Sequence, residues 1–122
     1  MRRMEDLERK LDQLMKEPGD PALFNEIGVF LYQVKDWRNA LRYLERACRL
    51  DGSDADILYN YALLLYLQRQ WKKAAEICEA YLELQQDDEE MLKKAGDSYY
   101  QSGDYEAAAR MYQRSQKEER RS

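Results

Sequence analysis

Residues 21–54, 55–88 and 89–122 align under one another without a gap, at an offset of 34 residues. A chain that repeats at this interval builds one structural unit several times and buries each unit against its neighbour. Small residues stand at the eighth place of each block (Gly28, Ala62, Gly96) and at the twentieth (Ala40, Ala74, Ala108). Aromatic residues stand at the twelfth (Tyr32, Tyr66, Tyr100) and at the seventeenth (Trp37, Trp71, Tyr105). Apolar side chains recur at the fourth (Phe24, Leu58, Leu92) and the eleventh (Leu31, Leu65, Tyr99).

Within a block the spacing is that of two helices. Phe24, Ile27 and Leu31, and likewise Leu58, Tyr61 and Leu65, follow three- and four-residue steps. The second half repeats the pattern with Trp37, Leu41 and Leu44, then with Trp71, Ala74, Ala75 and Cys78. Small residues at places eight and twenty mark where the two helices cross. A larger side chain there would hold the backbones apart. Asp20-Pro21, Ser53-Asp54 and the acidic run Asp87-Asp88-Glu89-Glu90 are helix starts by their chemistry, a cap and acids at the positive end of the dipole. Asp36 and Asp104 suit the starts of second helices, and Gly103-Asp104 is a turn signal.

Composition narrows the function. Hydrophobic residues make up 44% and charged residues 36%, which suits amphipathic helices. A net charge of −4 argues against a nucleic-acid partner. No apolar run approaches a membrane span, and no apolar leader core follows Met1-Arg2-Arg3, so a cytoplasmic chain without membrane insertion is expected. Cys48 and Cys78 fall in apolar stripes and are expected to be buried thiols. There is no histidine, no glycine-rich phosphate loop and no paired-cysteine metal motif, so neither catalysis, nor a cofactor, nor a metal site is expected.

Gly28, Ala40, Leu44 and Ala47, with Ala62, Ala74, Gly96 and Ala108, resemble the tetratricopeptide repeat, whose pattern asks for small residues at places eight, twenty and twenty-seven. The resemblance covers residues 21–122 and implies an all-α fold, a right-handed α-solenoid of antiparallel helix hairpins with about seven helices. The sequence departs from the pattern at Gly52 and Gln86, where a proline is common, and at Tyr81 and Ser115, where place twenty-seven is usually small. Residues 1–17 continue the register backwards: Leu7, Leu11 and Leu14 fall at places twenty, twenty-four and twenty-seven of a block without a first half. The expected organisation is thus a capping helix over 1–17 and repeats at 21–54, 55–88 and 89–122, forming a single domain.

The resemblance also implies that first helices line a concave groove that holds a peptide or helical segment of a partner protein. At the places that face it stand Asn25, Val29 and Tyr32 in the first block, Tyr59, Asn60, Leu63, Tyr66 and Leu67 in the second, and Lys93, Lys94, Asp97 and Tyr100 in the third. Tyr32, Tyr66 and Tyr100 recur in every block and suit packing between repeats as well as contact with a guest. Tyr59 and Leu63 belong to the middle block alone and favour the guest. Some family members clamp an acidic tail. Asn60 matches that clamp and Lys94 matches in part, whereas Asn25, Val29 and Glu90 do not, so an acidic tail is not the expected guest.

At the other end, residues 115–122 turn polar where earlier blocks are apolar. The stack is expected to stop there, ending in a frayed turn or leaving Met111 and Tyr112 open to a second copy. The alternatives to a peptide-binding module are self-assembly through that end, or a piece of a larger enzyme or secretion-chaperone system.

Overall fold

The computed structural model describes residues 2–121; Met1 and Ser122, the outer limits of the expected cap and third repeat, lie outside them. Seven α-helices follow in order: α1 Arg2–Lys16, α2 Pro21–Gln33, α3 Trp37–Leu50, α4 Ala55–Leu67, α5 Trp71–Leu84, α6 Glu89–Gln101 and α7 Tyr105–Arg121. No strand occurs among the described residues. The helices group into two compact units that divide within α4, between Tyr61 and Ala62.

Aspartate opens most of these helices. Asp20 accepts the backbone N–H of Ala22, Asp36 that of Asn39, Asp54 that of Ile57, Asp88 that of Met91 and Asp104 that of Ala107, at 2.9–3.4 Å. Each bond satisfies a donor that the first helical turn leaves without an internal partner. At the start of α5, Gln70 makes no such bond.

The three hairpin turns share one geometry. Place fifteen is left-handed in every block: Lys35 at φ 66°, Arg69 at φ 59° and Gly103 at φ 89°. The next N–H reaches back to the carbonyl five residues earlier, Asp36 to Leu31, Gln70 to Leu65 and Asp104 to Tyr99, at 2.8–2.9 Å. This is the Schellman closure of a helix, and it usually takes glycine. Only Gly103 announced it in the sequence.

In the first unit α1 packs on α2 and α2 on α3. The buried face of α2 is Leu23, Ile27 and Phe30, against Ala40, Leu44 and Ala47 of α3. The expected stripe of Phe24 and Leu31 is one step out of register with it. Both are half-buried, and the Phe24 ring lies 5.8 Å from that of Tyr43. Leu7, Leu11 and Leu14 are half-buried too, and Lys10 of α1 pairs with Glu26 of α2 at 2.9 Å.

In the second unit α5 packs on α6 and α6 on α7. α7 does not fray where its sequence turns polar. It stays helical to Arg121, buries Ser115, and returns Glu119 to Lys93 of α6 at 2.7 Å. Met111 is only 4% exposed, so it offers no open apolar surface, the second of the two endings that the sequence left possible. Cys78 is fully buried, as expected, but Cys48 is only half-buried. Tyr81, too large for its place by the repeat pattern, sends its hydroxyl to Asp88 at 2.7 Å and ties the end of α5 to the start of α6.

The close crossings come from glycine. A methyl group built on Gly28 would lie 2.8 Å from the Leu44 side chain, and one on Gly96 only 2.6 Å from the Tyr112 ring. In the second block the same places hold Ala62 and Cys78, both fully buried. A larger residue at place twenty-four thus goes with a smaller one at place eight.

Candidate functional site

Each block sets the aromatic of place twelve against that of place seventeen. Tyr32 meets Trp37 at 5.2 Å between ring centroids, Tyr66 meets Trp71 at 5.5 Å and Tyr100 meets Tyr105 at 5.3 Å. The first two pairs are edge-to-face, the arrangement aromatic quadrupoles prefer. All three tyrosines pack on the aromatic that opens the second helix of their own block. The pairs differ in exposure. Tyr100 is 57% exposed and Tyr105 65%.

The second unit holds the densest polar arrangement. Asp97 of α6 accepts the hydroxyl of Tyr66 of α4 at 2.9 Å on Oδ2, and that of Tyr112 of α7 at 2.6 Å on Oδ1. One carboxylate thereby joins three helices. Burial, followed by the bond to Asp97, pushes both phenols above their ordinary pKa. Both therefore remain protonated donors toward Asp97, and the outer side of each oxygen can only accept. Tyr112, one of the two residues that the sequence left as a possible open end, is half-buried and belongs to this network. No motif signalled the contact, since residues 66, 97 and 112 are joined only by the packing of three helices.

Lys94, a turn before Asp97, sits 5.3 Å from the centre of the Tyr66 ring and pairs with Glu90 at 3.3 Å. Lys93 is shared by Glu89 at 3.0 Å and Glu119 at 2.7 Å. Both lysines of the expected groove are thus paired with acids of their own unit. What remains open is apolar: Leu67 is 48% exposed at the end of α4, Leu63 is half-buried a turn earlier, and Tyr100 lies a turn beyond Asp97.

In the first unit, Asn60 of α4 donates its side-chain N–H to the Asn25 amide of α2 at 3.1 Å. The pair still has N–H and C=O groups to offer an extended backbone. Val29 and Tyr59 are half-buried. Among the described residues no group of three acids or cysteines is placed to hold a metal ion, and no helix is long and apolar enough to cross a membrane.

The tetratricopeptide repeat model matches residues 27–89, more than half of the chain. The chain belongs to the tetratricopeptide repeat family. Solved structures share this repeat fold at low identity. MamA AMB-1 superposes with a TM-score of 0.81 at 16% identity, over 91% of this chain and 61% of that one. A MamA RS-1 double mutant gives 0.85 at 19%, over 95% and 65%. MamA from Desulfovibrio magneticus RS-1, residue 41 to the end, gives 0.83 at 19%, over 95% and 66%. This tetratricopeptide repeat chain therefore spans less than two thirds of the length of these MamA structures, and the likeness is one of fold.

Proposed function

We propose that this chain is a protein-interaction module that holds a segment of a partner protein, without catalysing a reaction, and that the second unit contributes the α4 and α6 surface around Leu67 and Tyr100. The observation that carries this reading is the contrast on that surface. Its charges are matched internally, through Tyr66, Asp97, Tyr112, Lys94 and Glu90, while Leu67 and Tyr100 stay open to solvent. A guest gains by covering exposed apolar and aromatic area, and tyrosine loses little rotamer entropy in doing so. The polar rim favours backbone N–H groups, because the phenol oxygens are left as acceptors. An acidic tail is not favoured, because both lysines are engaged.

The test compares affinity capture by the wild-type chain with that by Leu67→Glu/Tyr100→Glu. Both residues are exposed, so helicity and melting temperature should hold while the captured partners are lost. These positions serve better than Tyr59 and Leu63, which are half-buried and would disturb packing. Recovery of the same partners by the double variant would exclude this surface.

A further inference from the structure

Helix α3 carries a second surface, unrelated to the aromatic one. Arg38, Arg42, Arg46 and Arg49 are all exposed and fall within about 80° of arc on the helix at 3.6 residues per turn. The fold does not require them: the same places of α5 hold Lys72, Glu76, Ala80 and Glu83. Arg46 is held over the Phe24 ring at 6.0 Å, and Arg49 pairs with Glu45 at 2.7 Å. Among the described residues Arg38 and Arg42 make no ion pair, and Arg42, Glu45, Arg46 and Arg49 border a depression of about 260 Å³.

We propose that this face of α3 docks an acidic segment of a partner protein. Guanidinium groups donate in a planar fork that matches a carboxylate in two parallel bonds, and a guanidinium held over a ring keeps N–H groups for such a bond. The four arginines extend over roughly 16 Å at 1.5 Å per residue, the length of a helix of three turns carrying carboxylates on one side. A nucleic acid is the poorer fit. A single helix face neutralises few phosphates of a duplex, whereas it matches a short row of carboxylates along its length.

The test is fluorescence anisotropy with a fluorescein-labelled glutamate-rich helical peptide, the same peptide with glutamine for glutamate, and duplex DNA of random sequence. The glutamate peptide should bind, and Arg38→Glu/Arg42→Glu should weaken it at least about tenfold, because like charges then face each other. Lys72→Glu/Lys117→Glu, on other helices, should leave binding unchanged. So should Leu67→Glu/Tyr100→Glu, which separates this surface from the aromatic one. Circular dichroism of the arginine variant should match the wild type. Equal binding of the glutamine peptide, equal loss in the lysine variant, or tighter binding of DNA through the same arginines would each overturn the proposal.

Discussion

The Tyr112 hydroxyl donates to Oδ1 of Asp97 at 2.6 Å, while the other oxygen of that carboxylate accepts Tyr66. Removing Asp97 therefore strips two partly buried phenols of their partner at once. Asp97→Ala should cost about 2 kcal/mol, below the sum for two charge-assisted bonds because the site is partly solvated. Asp97→Asn should cost less, since an amide oxygen still accepts. Urea denaturation checks both. The same bonds carry a pH dependence. Burial first, then Asp97, raises the Tyr66 and Tyr112 pKa values above the ordinary phenol. The unfolded chain releases these protons near pH 10, at about the usual tyrosine value, and the folded chain retains them longer. This stabilisation is complete below that pH and disappears as pH rises through the folded values. Tyr66→Phe/Tyr112→Phe should reduce the late-titrating tyrosinate absorbance by the share of these two phenols.

The glycine crossings should respond as pairs. Gly96→Ala should destabilise by about 2 kcal/mol, since its new methyl meets the Tyr112 ring and overpacking of this kind costs roughly 1–3 kcal/mol. Adding Tyr112→Cys recreates the Ala62 and Cys78 combination of the middle block. The double variant should then recover the overpacking cost, leaving the loss of the phenol bond. Thermal melts of both single variants and the double form the cycle, and additivity would show that the two places do not exchange volume.

The left-handed turn places offer an easy gain. Arg69→Gly and Lys35→Gly should each stabilise by about 0.5–1 kcal/mol, because a side chain in this conformation is strained and glycine is not. Gly103→Ala should do the reverse. Chemical denaturation of the three variants decides it, and a loss at Arg69→Gly would contradict the turn assignment.

Burial pushes the Cys78 thiol up to about 12, with the nearby Lys94 charge working against it and Glu79 reinforcing it. Its thiolate fraction at mildly alkaline pH is negligible, and the thiolate is the reactive form. In a Cys48→Ser background Ellman's reagent should label Cys78 only at the rate of unfolding. Labelling on mixing would show that the second unit opens locally.

The sequence alone determined the repeat, its 34-residue interval, the aspartate caps and the small crossing residues, because these depend on local spacing and on what a helix end or a close approach tolerates. It could not choose between steps 23-27-30 and 24-27-31 on α2, since both have helical spacing; the neighbouring helices made that choice. Nor could it foresee left-handed turns at Lys35 and Arg69, where closure of the hairpin overrides the preference for glycine. The aromatic pairs were visible as a recurrence, but their contacts were not. Only tertiary structure decided the chemistry of the candidate site. Packing brought Lys93 to Glu119 and Lys94 to the Tyr66 ring, and three helices brought the Tyr112 hydroxyl to Asp97, none of which the spacing indicates. Spacing along a chain reports what each helix face carries, whereas pairing across helices depends on which faces meet.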